Sequence, residues 1–399
     1  MNVVRSIQAF NAGRDPERLQ IKYDKLRRSP SAFLRGTCHR FYERLPSDGD
    51  FKSAPKTWVC GDLHLENFGS YKADNRLIHF DISDFDEAAL APASWDLVRI
   101  LTSLCVRADE LGLGGSARRT LASACIESYT AALTKGKALW LERETAHGQV
   151  RKLLDGLHER ERPPFLDSRT QLRGRKRTLR LDGEKALAAT PAQRAAVSAF
   201  MAGFARSQPD EAFYEPLDVA RRVAGAGSLG LDRFVILVRG KGTPDGNYLL
   251  DLKLAQPSSL QPRLKVRQPR WATQAHRIVA VQQRMQAVSM ALLRPVMMDG
   301  QSYVLRELQP EEDRITLDPR QKAEEELEEA VVTMGRLLAW AQLRSAGREG
   351  SAIADDLIEF AGRRKWRARL LDAAQDCALQ LLDDAATYNE AFDDGVFRL

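Results

Sequence analysis

Cysteine is scarce: five residues in 399, at positions 38, 60, 105, 125 and 377, with no CxxC spacing. An odd count without framework spacing excludes a disulfide-stapled scaffold and predicts reduced, buried thiols in a cytoplasmic protein. Long apolar runs are missing as well. No window approaches 18 uninterrupted apolar residues, and the opening MNVVRSIQAFNAGRDPERLQ has no apolar core of signal-peptide length. The expectation is a chain that is neither secreted nor membrane-spanning. Glycine and proline, 26 and 17 residues, are too few for a fibrous or low-complexity chain. The charge surplus is only +6, which permits an anionic ligand but does not mark a nucleic-acid binder. What remains is an ordinary globular composition, 44% hydrophobic and 29% charged, in a chain long enough for more than one domain-sized unit.

The texture changes along the chain. Residues 14–45 read as helices, and Ser29-Pro30 can open one. TWVC (57–60) and RLIHFDI (76–82) are short β-type runs, followed by a strongly apolar helix from Pro92 to Arg107 and helical text through 116–153. Residues 158–180 hold Pro163-Pro164 and a dense basic run. Two readings stay open for it, a solvated loop or a cover that meets an acidic ligand. From about 216 the pattern turns to β: RFVILVR (233–239) and YLLDLKLA (248–255) flank KGTPDGN, and YVLREL (303–308) is a further strand. A helix near 271–292 separates them, and about 319–390 is helical again.

Three constellations carry chemistry. GDLHLENFG (61–69) follows a short strand, which places Asp62 on a strand-to-loop exit. Asp62 can accept a proton from an attacking hydroxyl, and Asn67 can hold a metal through its oxygen. DISDFDE (81–87) packs four acids into seven residues, which repel one another unless cations compensate. Hard oxygen ligands of this kind suit Mg²⁺, which takes one or two carboxylates plus phosphate oxygens. Asp84 is the first candidate, with Asp81 and Asp86 behind it. The third is Gly225-Ala226-Gly227-Ser228-Leu229-Gly230. A lone GxGxxG is a weak signal, but here a strand follows it rather than the helix of a dinucleotide fold. Strand, Gly loop, strand is the arrangement that lays a loop over nucleotide phosphates. Lys253 comes 23 residues after Gly230 in an apolar strand, where phosphate would supply the anion a buried lysine needs.

GDLHLENFG, SDFDEA and WDL (95–97) resemble the catalytic loop and metal motif of aminoglycoside phosphotransferases and related kinase-like enzymes. The whole chain, through FLRG (33–36), these motifs, the Gly loop and the Lys253 strand, also resembles the bacterial family called domain of unknown function 2252. The resemblance implies Asp62 as catalytic base, Asn67 and Asp84 as metal ligands, and Asp96 as a prop for the catalytic loop. It implies Gly225, Gly227, Ser228, Gly230 and Lys253 on the phosphates of ATP, with Mg²⁺ as the metal. In kinases the Gly loop and lysine precede the catalytic loop; here they follow it by about 160 residues, and VVTMGRLLAWAQLRSAG (331–347) resembles the helix that normally leads into that loop.

The implied architecture is therefore α+β, a protein-kinase-like two-lobe fold in circularly permuted order. Residues 1–215 would begin the large helical lobe, with the basic insertion near 158–180. Residues 216–310 would form the small β-rich nucleotide lobe, and 311–399 the remaining helices of the large lobe. Two departures stand out. Cys60 occupies the place where related enzymes often carry His, and no Asp or Glu lies between Asp251 and Asp299 to supply the helix glutamate that pairs the kinase lysine. Gln282, Gln283 and Gln286 stand there instead, and Glu307 could reach from the next strand.

The function expected is an ATP- and Mg²⁺-dependent phosphotransferase on an unidentified acceptor, without membrane or nucleic-acid partners. The alternatives are an AMP-transferring enzyme on the same site and a nucleotide-binding regulator without turnover. A metallophosphoesterase would use GDLH as an Asp-x-His pair but needs further Asn and His ligands, and none of the six histidines follows a Gly-Asn. His64 and His79 are accordingly expected to be structural.

Overall fold

The computed structural model describes residues 2–46, 49–310, 314 and 323–399. Five short helices open the chain: α1 (Val3–Asn11), α2 (Pro16–Arg28), α3 (Pro30–Gly36), α4 (Cys38–Arg44) and α5 (Gly49–Ser53). Asp15 and Ser29 accept hydrogen bonds from the backbone N–H groups of Arg18 and Ala32, and each is followed by proline at the first helical position. Proline lacks only an N–H that would be unpaired there, so these dipeptides start helices.

Two antiparallel ribbons come next. β1 (Lys56–Val59) pairs with β4 (Ala89–Pro92), and β2 (Phe68–Lys72) pairs with β3 (Ile78–Ile82). The connections β1–β2 and β3–β4 both pass from one ribbon to the other. They therefore run side by side, and they are the two loops that carry Asp62 and Asp84.

Helix α6 (Ser94–Glu110) is buried on nearly every face and packs between α7 (Gly115–Lys135) and a long C-terminal helix. Its all-round apolar text requires that position, since an amphipathic surface helix would keep one polar face. After α7 come α8 (Gly148–Glu159) and α9 (Arg162–Asp167). The basic run then folds as a hairpin, β5 (Thr170–Arg173) with β6 (Lys176–Leu179). Arg177 is buried there and donates to Asp167, to Asp245 and to the carbonyl of Pro244. The segment is thus docked on the 241–247 turn and takes no part in lining the cleft described below.

A six-stranded antiparallel sheet follows, formed by β7 (Ala186–Ala188), β8 (Pro216–Arg222), β9 (Arg233–Val238), β10 (Tyr248–Leu254), β11 (Arg294–Met298) and β12 (Gln301–Glu307). Its order is β11-β12-β10-β9-β8-β7. The sheet thus begins at Ala186, upstream of the boundary read at 216, because β7 pairs with β8. Helix α10 (Pro191–Ala205) joins β7 to β8 and puts Val197 and Met201 on the apolar face formed by Phe234, Ile236, Leu250 and Leu252. Helix α11 (Gln274–Met285) lies between β10 and β11, and α12 (Ala323–Arg344), α13 (Ala354–Gly362) and α14 (Lys365–Asp393) complete the helical body. α12 packs on α7, and α14 on α6.

The chain is a mixed α+β structure. All five cysteines are free and buried. Among the described residues no helix is long and apolar enough to cross a membrane.

Candidate active site

A cleft of about 450 Å³ opens between the sheet and the helical body. Its walls include Asp62, Asn67, Asp84, Gly225, Gly227, Ser228, Gly230 and Lys253, so these expected site residues meet in one place, while the second-choice ligand Asp81 lies outside it, paired with Arg344 at 2.8 Å. The volume lies within the range of small-molecule sites.

The loop that carries Asp62 is fixed from behind. Asp96, in the first turn of α6, accepts the backbone N–H groups of Cys60 and Gly61 at 2.8 and 3.0 Å. Burial pushes its carboxyl up to about 6, even against those two donors. Gly61 has φ +85°, and a Cβ there would sit 2.4 Å from the carbonyl oxygen of Glu87. Only glycine lets the chain turn while pressed against the acidic loop. His64 is buried, and its Nδ1 accepts the N–H of Glu66, the bracing role expected of it. His79 is buried in β3 with Nε2 against the Asn75 carboxamide.

Asp62 is held by a residue the motifs did not reveal. Arg99, one helical turn after Asp96 and wholly buried, reaches Oδ1 with Nε at 3.0 Å and Nη2 at 2.5 Å. Its guanidinium also lies 4.6 Å from the Phe41 ring centre, and Nη2 donates to the carbonyl of Leu34. The other Asp62 oxygen, Oδ2, has no hydrogen-bond partner among the described residues, while the side chain lines the cleft. One oxygen is anchored and the other is left for a ligand.

Asn67 clasps the two loops together. Its carboxamide nitrogen donates to the carbonyls of Asp62 and Asp84, and its oxygen accepts the Asp84 N–H at 2.8 Å and the Ser83 hydroxyl at 3.2 Å. The side chain is 2% exposed. Its first job is therefore bracing, with the carboxamide oxygen already shared between two protein donors.

Lys253, on the third strand of the Gly-loop unit, is buried and forms ion pairs with Asp84 (3.4 Å) and Asp86. The carboxylate partners of Lys253 thus come from the acidic loop, not from a helix. Glu307 does not take that role: it lies opposite Leu250, at the other end of the β10–β12 pair from Lys253. The glutamines of α11 turn elsewhere, Gln286 donating to the carbonyl of Ile82 and Gln282 to Gln286. Burial raises the Asp84 carboxyl, but Lys253 and Arg306 outweigh it and hold it below the usual carboxylate range. Burial and the charge of Asp84 push Asp86 up. α11 docks through Arg277, which donates to the carbonyls of Asp86, Ala88 and Gln256.

Behind Lys253, Asp251 is fully buried among three arginines, with Arg222 and Arg233 at 2.7 Å and Arg306 at 3.5 Å. Arg222 donates on to the carbonyl of Gln309 and Arg306 to that of Ser83. This knot ties the sheet to the acidic loop.

The Gly loop connects β8 to β9 and opens no helix. Gly225 and Gly230 have φ of +74° and +87°, and a Cβ at Gly230 would press within 2.8 Å of Arg14. Among the described residues no group of three or more His, Cys, Asp or Glu side chains is arranged to hold a metal alone.

Comparison with known proteins finds one family. The model described as "Uncharacterized protein conserved in bacteria (DUF2252)" matches residues 14–391. No curated protein and no solved structure matches the chain.

Proposed function

The chain belongs to the DUF2252 family of bacterial proteins, and on the geometry of its cleft we propose that it is an ATP- and Mg²⁺-dependent phosphotransferase. The observation that carries this reading is the meeting of Asp62, Asp84, Lys253 and the Gly loop around one cavity, from loops far apart in sequence. The succession β8, Gly loop, β9, then lysine-bearing β10 and helix α11 supports a kinase-like small lobe, in which a Gly-rich loop covers phosphates and the lysine stands on the third strand. That unit follows the catalytic loop in the chain, in keeping with a circularly permuted kinase-like fold.

The residues fit both groups. Asp84 and Asp86 are hard oxygen donors already gathered about a cation, the Lys253 ammonium. With phosphate oxygens they would make the mixed ligand set Mg²⁺ prefers, and the oxygen of Asn67 lies beside them. Bound there, the ion would neutralise charge on the phosphates. Lys253 would pair with phosphate in place of the carboxylates. Asp62, anchored through Oδ1 by Arg99, would present Oδ2 to the acceptor hydroxyl and take its proton. Phosphoryl transfer draws mainly on positioning and charge stabilisation, which is what Arg99, Asp96 and Asn67 supply to this loop.

One observation favours a second reading. Lys253 fills the space between Asp84 and Asp86, as it would in a nucleotide-binding regulator whose metal site is closed. ATP consumption by the purified chain separates the two. The phosphotransferase reading requires consumption that depends on Mg²⁺ and is lost in Asp84→Ala; nucleotide binding without consumption supports the regulator.

A further inference from the structure

The N-terminal arm is fastened over the Gly loop by cations that form no ion pair among the described residues. Arg14 Nη1 donates to the carbonyls of Gly227 and Leu229 at 2.8 and 3.0 Å. Lys22, wholly buried, donates to the same Gly227 carbonyl at 3.1 Å and to Asn11 Oδ1 at 2.8 Å. The N–H of Asp15 closes the clamp on the carbonyl of Gly230. Both cations also face the Phe10 ring, at 4.9 and 5.3 Å.

Neither Arg14 nor Lys22 forms an ion pair with any described residue; Glu87 acts on both at longer range and Asp62 on Lys22, and burial nonetheless lowers both pKa values, that of Arg14 to about 10. The ammonium carries three donors and spends two of them on neutral oxygens. Arg14 spends one nitrogen on carbonyls, and its side chain lines the cleft. A charge taken out of water without an opposite charge is strongly unfavourable. An ordinary clamp would use neutral donors for the same carbonyls. An Arg14 without an ion pair on the wall of a cleft that also carries several carboxylates, with the buried Lys22 behind it on the same Gly227 carbonyl, matches a ligand that is anionic on one side and metal-bridged on the other.

We propose that Arg14, backed by the buried charge of Lys22, forms an anion-binding roof that takes the terminal phosphate of a nucleoside triphosphate. The nucleotide part rests on the phosphotransferase reading; the anion site stands on its own geometry. The arm belongs to the N-terminal helices, more than 200 residues from the Gly loop in sequence, so the roof joins two distant parts of the chain.

The test is ligand-induced thermal stabilisation of the full chain, with metal-free tripolyphosphate and with ATP plus Mg²⁺. A ligand that binds the folded chain raises its melting temperature according to its affinity and concentration. Wild type should be stabilised by tripolyphosphate, and Arg14→Gln should need at least about tenfold more of it for the same shift, the size of one lost charge-assisted contact. Lys22→Met should lose the response likewise while melting, ligand-free, no lower than wild type, since an unpaired buried charge is gone. The exposed Arg175→Gln should behave as wild type. If Lys22→Met does not fold, Arg14→Gln decides alone. Wild-type tripolyphosphate affinity in Arg14→Gln, or no tripolyphosphate binding by wild type, overturns the roof. An arm-dependent tripolyphosphate response without any ATP consumption keeps the roof and removes the phosphotransferase reading. Mg²⁺-dependent ATP consumption with unchanged tripolyphosphate affinity in the variants does the reverse.

Discussion

Arg99 grips Asp62 by a single carboxylate oxygen, with Nε at 3.0 Å and Nη2 at 2.5 Å from Oδ1. The planar fork can do this because it also rests on Phe41 and donates to Leu34. A lysine keeps the charge but not the fork. Arg99→Lys should therefore lower kcat by at least about tenfold, the scale of a displaced proton acceptor, with the KM for ATP nearly unchanged. Steady-state kinetics check it. A kcat loss matched by an equal loss of folded protein in circular dichroism would assign Arg99 to folding rather than to positioning Asp62.

Gly61 is the backbone counterpart. Its φ of +85° and the 2.4 Å approach of a Cβ to the Glu87 carbonyl make alanine doubly unfavourable. Gly61→Ala should destabilise the chain by about 1–3 kcal/mol, the usual scale for a strained backbone position. Urea unfolding measures this. Wild-type stability would mean that the Asp62 loop and the acidic loop can separate at little cost.

Stability should fall in acid through His39. Its ring is stacked on Phe10 at 3.9 Å, and neither nitrogen has a hydrogen-bond partner among the described residues. Burial, then the charges of Lys22, Arg14 and Arg40, lower its pKa from 6.5 to about 3. The unfolded chain takes up this proton near pH 6.5 and the folded chain does not. Acid therefore favours unfolding, progressively as pH drops from 6.5 toward 3. At pH 5 the loss is about 2 kcal/mol relative to pH 7.5. His39→Phe should lose less on the same descent, and equal losses in both proteins would assign the acid sensitivity to other groups.

The Gly loop and Lys253 were legible because apolar strands flank both, and a lysine inside YLLDLKL has no ordinary reason to be there. Asp62, Asn67 and Asp84 were legible as loop residues at strand ends, and the crossing between two ribbons then brings them together. Arg99 left only a faint signal, its place one helical turn after Asp96 in WDLVR. Arg14 and Lys22 left none, because what they touch lies more than 200 residues away in the chain. The partner of Lys253 was sought on a helix by analogy, while the structure supplies it from the acidic loop that already carried too many carboxylates. β2 was missed because Gly69 interrupts the β-type run of FGSYK, which is ordered by pairing with β3. The hairpin at 170–179 hid in a run of charges that ion pairs to Asp167 and Asp245 organise.

The central claim is that this cleft moves a phosphoryl group with Asp62 as the proton acceptor. The most direct measurement is Mg²⁺-dependent turnover of ATP by wild type and Asp62→Asn, with nucleotide affinity measured on the same samples. The substitution preserves shape and removes only the acceptor, so turnover should fall on the order of 10²–10⁴-fold at unchanged affinity. Turnover at the wild-type rate by Asp62→Asn, or no turnover by wild type, would contradict the account.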